Sequence, residues 1–522
     1  MLKLTRQEFI RSGLSMLAVA ALPASIAAGA ARATKTPIDD GKSAVIPELN
    51  PVIRLYPYEA VVRSGDVRFG PAEIGVMLPF LGSGEVVWNV TVPNDGRYQL
   101  SLCYSSTVAE TQIKISAGES DALHATRVTE GYFYPDPKGP SANPGSPDDD
   151  SFWSMREFYS FERVPVSDEL QLTRGVNVIR LKVTAAKGRE VFRLRSLELT
   201  PVVRHKSTEA SKELAIKHRA NTDWFAQAGY GMWFHFLDLT TPRHGPRKPY
   251  KDAVDELDVE KLAGLVDSCG AKYLIFTVNH GNPTCPAPIA SWEALHPGWT
   301  TKRDLIGDLA DALGRRGIKL MLYMNCPGLG NLIQQPGPAI DRPSMSEAEY
   351  AKQLIRVFRE FGLRYREKVA GYWLDSWFQT NETYPNLPFD RLGEAIKAEH
   401  PNRLVAYNHW AFPVETDWQD YWSGELTDLP LKPFKSRYIR RGAGQGLQAH
   451  AAIRLDAPWF HITPDKEMES PRYQAGELAN YIKSCMADRA PVTLGVGIFQ
   501  DGSIGEPSRR VLEELRHLVR NS

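Results

Sequence analysis

The chain has 522 residues, with 62 Lys and Arg set against 62 Asp and Glu. That length accommodates two or three domains, and the charge balance gives no electrostatic case for a nucleic acid or an anionic membrane as partner. Hydrophobic content of 43% and charged content of 24% are ordinary for a globular protein.

Lys3, Arg6 and Arg11 open the chain with positive charge, and Leu14 to Ala28 is apolar and Ala-rich. Ala31-Arg32-Ala33 is a small-x-small cleavage site, so residues 1–33 read as an export signal peptide. Thr5 to Arg11 resembles a twin-arginine signal whose second Arg has become Gln7, which leaves both export routes open. The apolar run is too short and too Ala-rich for a membrane span. The mature protein is expected to begin near Thr34, in the periplasm or outside the cell. The five cysteines are odd in number and widely spaced, which fits neither a disulfide framework nor a zinc motif. A single Cys285–Cys326 disulfide stays open as an option.

Residues 34–50 read as a linker. Residues 51–203 then run in short alternating segments, which predict an antiparallel β-sandwich. Glu85–Val92 alternates at period two, Asn94-Asp95-Gly96 turns the chain, and Arg97–Tyr104 alternates again, which predicts a hairpin. Further strands are expected at Gln112–Ala117, Tyr159–Val166, Val176–Val183 and Phe192–Leu199. The long loop from Gly131 to Trp153 carries Tyr132, Phe133, Tyr134 and the acids Asp148, Asp149 and Asp150. It reads as a sugar-binding or site-covering loop, and its acids as a solvated turn rather than a calcium site. Tyr58-Glu59-Ala60, Val92 to Tyr98 and Leu172 to Leu181 resemble the jelly-roll carbohydrate-binding modules of the galactose-binding-like kind. Residues 204–223 have helical spacing and form a linker helix.

From residue 224 to 522 the pattern becomes strand, loop, amphipathic helix. Strands are predicted at Gly231–Phe236, Ala271–Val278, Ile318–Asn325, Val369–Asp375, Arg403–Asn408, Tyr421–Gly424, Pro458–Ile462 and Pro491–Val496. Eight strands alternating with helices imply a (β/α)8 TIM-type barrel, with 411–446 mostly loop. The strand ends gather polar groups: His235, Asn279 and His280, Tyr323 and Asn325, Asp375, Asn408 and His409, Glu425, and Trp459 with His461. Catalytic groups of such barrels sit at that end. Asp375 closes the buried run Val369 to Leu374 and precedes Trp377; it reads either as an acid at a sugar site or as a helix N-cap.

The second domain resembles the α-L-fucosidase family of glycoside hydrolases (family 29) over roughly residues 220–520. Gly229 to His235, Cys269 to His280, Lys302 to Leu305, Gly317 to Tyr323, Trp373-Leu374-Asp375 and Pro491 to Gly497 with Asp501 to Ile504 carry the resemblance in order. The resemblance implies a retaining exo-glycosidase acting on an oligosaccharide or glycoside. Asp375 matches the nucleophile position, and Glu425 lies where the acid/base is expected. Two positions depart from the family. Gly281 replaces the second of paired histidines, and Asn408-His409-Trp410 stands where an Arg is usual.

Retention requires two carboxyls about 5–5.5 Å apart, one ionised and one protonated. Asp375 and Glu425 are assigned these roles, with Glu415, Asp417 and Asp420 as rival acids. Trp418 and Trp422 beside Glu425 supply an apolar setting that would raise its pKa. His235, His280, Asn279, Tyr323, Trp377, Asn408, His409 and Trp459 are expected to contact substrate. No cofactor and no metal are expected, although His235, His280 and Asp375 could gather one; no His-Glu-x-x-His pair supports that. The altered positions keep two other readings open: a non-catalytic sugar-binding protein on a degenerate barrel, and a glycosidase for a different sugar.

Overall fold

The computed structural model describes residues 44–45, 52–67, 78–106, 108–129, 161–184, 192–325, 345–409, 414, 416–427, 429, 433–440, 444–456 and 459–520. The signal segment, most of the linker, the 131–153 loop, Cys326, Trp410 and Glu415 lie outside them. Among the described residues no helix is long and apolar enough to cross a membrane. Cys285 is a buried free thiol.

Two antiparallel layers build the N-terminal part. One contains Val61–Val67, Leu78–Val92, Gly175–Thr184, Gln112–Ala117 and Ser120–Ala125. The other contains Glu162–Leu172, Gly96–Ser105, Phe192–Pro201 and Ile53–Leu55. They join where Phe192 to Leu194 pairs with Leu78 to Phe80. Trp88, Val90, Ile179 and Leu181 from the first layer share one buried cluster with Leu100, Leu102, Leu170 and Leu197 from the second. Period-two alternation supplies each layer with one such apolar face.

The expected hairpin at Asn94–Gly96 does not form. Leu78–Val92 ladders with Gly175–Thr184, while Gly96–Ser105 ladders with Glu162–Leu172 and Phe192–Pro201. The turn instead carries the chain from one layer to the other, held by Asp95 accepting from the Arg174 N–H at 2.6 Å. A hairpin would have set both apolar faces side by side; crossing over lets each face cover the other.

Helix His205–Lys217 leads into the second part. There the strands are β1 (Tyr230–Phe234), β2 (Tyr273–Asn279), β3 (Lys319–Asn325), β4 (Val369–Asp375), β5 (Leu404–Tyr407), β6 (Glu425–Thr427), β7 (Ala451–Arg454) and β8 (Val492–Val496). They form one all-parallel sheet in the order β5-β4-β3-β2-β1-β8-β7-β6. The ladder is open between β5 and β6. Asp420 spans that seam: its N–H donates to Val405 O at 2.9 Å, and its carboxylate accepts from Val405 N at 2.8 Å. Helices follow β1, β2, β3, β4, β7 and β8, and none lies between β5 and β7 among the described residues.

The sheet curls because its two faces pack differently. Trp233, Tyr273, Ile275, Met321, Tyr323, Trp373, Leu404, Ala406, Tyr421 and Ala452 meet in an inner cluster. Their strand neighbours Phe234, Leu274, Leu322, Leu374, Val405 and Ile453 belong to the outer cluster beneath the helices.

Two strands sit elsewhere than the sequence suggests. Tyr421–Gly424 is not β6, because Gly424 adopts φ +62° and a Cβ there would lie 1.9 Å from the His450 carbonyl oxygen. The ladder resumes one residue later, at Glu425. Nor is Pro458–Ile462 the seventh strand: β7 is Ala451–Arg454, residues 459–462 lie in the loop after it, and Pro458 is outside the described residues. The true β7, Ala451-Ala452-Ile453-Arg454, is poor in strand formers and gives little propensity signal.

Candidate active site

Successive residues of a strand face opposite sides. Trp233, Tyr273, Met321, Trp373, Ala406 and Ala452 face inward. Counting two residues on from Trp233, Trp373, Ala406 and Ala452 puts His235, Asp375, Asn408 and Arg454 on the inner side at the carboxyl end. Tyr323 belongs to the same inner cluster. The alternation of 2 that folds the sheet therefore assembles the polar groups at its mouth.

Asp375 ends β4, and Ser376 turns the chain with φ +59° into helix Trp377–Thr383. The side chain does not cap that helix at the usual N2 or N3 amide. Its Oδ1 accepts from Ser376 N at 2.7 Å and from Asn408 Nδ2 at 2.8 Å, and its Oδ2 accepts from the Tyr323 hydroxyl at 2.5 Å. Both lone-pair positions of Oδ1 are therefore taken, while Oδ2 keeps one. Burial, reinforced by the Asp375 charge and the bond to it, holds the Tyr323 phenol well above its ordinary pKa, so it stays a donor.

Glu425 opens β6 directly after Gly424, whose positive φ aims it across the seam. Its Oε2 accepts from the same Asn408 Nδ2 at 2.7 Å. Burial first, then the charge of Asp375, pushes its pKa up to about 8; the Asn408 bond and the Arg454 charge oppose that rise. Asp375 Oδ1 and Glu425 Oε2, held 2.8 and 2.7 Å from one nitrogen, are separated by no more than about 5.5 Å, so the two carboxyls are near neighbours.

Aromatic rings line the space beside the acids. Trp373 and Tyr323 stack with centroids 5.5 Å apart, and Trp233 packs 4.7 Å from Trp373 and 4.9 Å from Trp459. Trp459 lies against Gly495, where a Cβ would sit 2.4 Å from its ring. His235 and His280 approach each other at 5.5 Å, and His280 stacks on Tyr323 at 5.9 Å. Burial lowers the pKa of both imidazoles, with Asp375 pulling His280 the other way. His235 Nδ1 lies 3.0 Å from Thr277 Oγ1, whose hydrogen is committed to Phe234 O at 3.1 Å. Nδ1 must therefore carry the proton, which leaves Nε2 as an acceptor.

Three expected substrate contacts lie elsewhere. Asn279 is fully buried at a β-bulge, where its amide replaces ladder bonds by pairing with Asn325 O and N at 2.9 and 3.1 Å. Trp377 is fully buried beneath the sheet, 4.4 Å from the Tyr407 ring and 5.6 Å from Phe389. His409 is buried and turns Nδ1 back to Tyr407 O at 2.9 Å. Of the rival acids, Glu415 lies outside the described residues, Asp420 holds Ala220 N, Val405 N and Lys397, and Asp417 pairs with Arg219 at 3.6 Å. Among the described residues no group of three His, Cys, Asp or Glu side chains is arranged to hold a metal ion. Sequence reasoning missed Arg454, Ser423 and Thr277. The alternation of Ala452, Ile453 and Arg454 would have revealed the first, once β7 was placed correctly.

Residues 241–518 match the alpha-L-fucosidase family model, and the chain belongs to the alpha-L-fucosidase family. The tissue alpha-L-fucosidase of Macaca fascicularis is 26% identical over 146 residues, a match covering 21% of this chain and 30% of that enzyme. The chain thus spans less than a third of that relative's length. Among solved structures, alpha-L-fucosidase AlfC from Lactobacillus casei with its fucose product is 17% identical, with TM-score 0.42 over 58% of this chain and 99% of its own. Isoenzyme 1 from Paenibacillus thiaminolyticus is 20% identical, with TM-score 0.41 over 59% and 76%. A trapped covalent intermediate of the Bacteroides thetaiotaomicron enzyme is 14% identical, with TM-score 0.41 over 57% and 76%.

Proposed function

We propose that the chain is an exported, retaining exo-glycosidase of the α-L-fucosidase type, with Asp375 as nucleophile and Glu425 as acid/base on a (β/α)8 barrel. One observation carries the reading: a single amide nitrogen, Asn408 Nδ2, bonds both carboxyls at 2.8 and 2.7 Å. A shared amide suits the close pairing of about 5–5.5 Å used in a direct covalent route better than the separation of about 6.5–9.5 Å that admits the water of inversion. Family membership supports the choice of a fucoside. Export rests on the N-terminal sequence, and a sugar-binding role for the sandwich rests on its resemblance to jelly-roll modules.

In the first step Asp375 Oδ2, which keeps a lone pair, attacks the anomeric carbon. The bond to the aglycone breaks, and the departing oxygen takes the Glu425 proton. Esterification removes the Asp375 charge, one of the two causes that hold Glu425 protonated. Glu425 is then the stronger acid and rests as a carboxylate. It takes a proton from water, whose oxygen displaces Asp375 and restores the original configuration. His235 Nε2 would accept from a sugar hydroxyl, and His280, Tyr323 and Trp459 would flank the ring.

A second reading, a glycosidase for a related pyranose, is favoured by Gly281. It adopts φ +77°, so a side chain in the family's second-histidine position would be strained here. A panel of activated aryl glycosides tests both readings. The α-L-fucoside is expected to be cleaved fastest; faster cleavage of another glycoside would favour the second, and binding without turnover across the panel would defeat both.

A further inference from the structure

Asn408 occupies a position where a substrate ligand is expected, yet its side chain is fully occupied by protein. Nδ2 spends one hydrogen on Asp375 and the other on Glu425, and Oδ1 accepts from the Ser423 hydroxyl at 2.9 Å. An ionised Asp375 only accepts, so the amide nitrogen must face the acids. The backbone is fixed as well: Asn408 N donates to Leu374 O at 2.6 Å, and Asn408 O accepts from Trp377 N at 3.1 Å. The two residues flanking the Asp375–Ser376 pair are thereby tied to a residue that, like Asp420, bonds across the open seam. Asn408 itself is buried.

We propose that Asn408 is a positioning residue, a neutral clamp that fixes the separation of the two acids and takes no part in sugar recognition. Neutrality is the point of the choice. A guanidinium in this place would favour the ionised form of both carboxyls and draw the proton off Glu425. An amide holds the same two oxygens with no full charge, so the spacing is set while Glu425 stays protonated. Because the sheet ladder is open between β5 and β6, Asn408 also supplies a cross-seam link at the level where the chemistry occurs. Ser423 orients the amide and is the clamp's own support.

The kinetic part of this inference rests on the hydrolase reading, and the protonation part does not. Asn408→Leu keeps the number and branching of heavy atoms and removes both donors; Asn408→Asp keeps the shape and adds a third carboxyl. Both are compared with the unaltered full chain, with thermal melting to check folding. In Asn408→Leu, kcat on an aryl α-L-fucoside is expected to fall about a hundredfold, as for a slight misplacement of reacting groups, while KM changes by less than about threefold. Loss of an N–H bond to the carboxylate should move Glu425 protonation to higher pH, and Asn408→Asp should move it further. Infrared pH titration reads this without turnover, using the carboxyl band absent from Glu425→Gln. A KM raised about tenfold or more with the band unmoved would make Asn408 a sugar ligand and overturn the clamp. An unaltered kcat and band would overturn it equally. If the unaltered protein cleaves no glycoside, the hydrolase reading fails, and the band alone decides the clamp.

Discussion

Asp375→Ala is expected to slow hydrolysis of an activated aryl α-L-fucoside by at least about a thousandfold, which corresponds to ~4 kcal/mol of transition-state stabilisation. Alanine removes the carboxylate proposed to form a bond with the anomeric carbon. It also strands three donors, Ser376 N, Asn408 Nδ2 and the Tyr323 hydroxyl, which now converge on one carboxylate. Those donors line the space vacated by the side chain and suit a small anion. Azide should therefore restore turnover, attacking from the Asp375 side and giving a fucosyl azide of inverted configuration. Turnover unchanged in Asp375→Ala would remove the nucleophile assignment.

Glu425→Gln should produce the second large effect, and the leaving group should decide its size. With a poor leaving group the first step needs a proton, and the rate should fall about 10²–10⁴-fold, the usual contribution of general acid catalysis. With an activated aryl group the first step needs little help, but the second still lacks its base, so the covalent intermediate should accumulate and KM should drop. The pH profile gives an independent check. Glu425 must start protonated, and its pKa is pushed up to about 8. Activity should therefore hold through neutral pH and decline as pH rises through about 8, and Glu425→Gln should abolish that decline. A decline that survives in the variant would assign the acid to another residue.

The alternating strand pattern made the curled parallel sheet legible, and β4 in particular, because Tyr372-Trp373-Leu374 is buried on both faces and ends abruptly on a carboxylate. β6 and β7 were not legible for opposite reasons. Tyr421 and Trp422 look like strand residues, but backbone contact at Gly424 breaks the ladder there. Ala451 and Ala452 form a strand although alanine is a poor strand former, one packing on the outer cluster and the other on the inner. The sequence singles out Asp375 because it ends an apolar run and Glu425 because indoles flank it, and folding brings both carboxyls onto one amide nitrogen. The role of Asn408 is not legible in the sequence. Only folding brings residue 408 between 375 and 425 and shows its amide consumed by both. Asn279 and Trp377 lie near the acids in sequence or register, but a bulge turns one into the ladder and a helix start turns the other under the sheet.

Double displacement needs a pair of carboxyls close enough for one to attack while the other delivers a proton. Proton NMR of the sugar first released from an aryl α-L-fucoside, recorded before mutarotation, tests that pairing most directly. Initial release of the α-anomer is the predicted result. Initial release of the β-anomer would mean that water attacks in a single displacement, and Asp375 and Glu425 would then not react as nucleophile and acid/base.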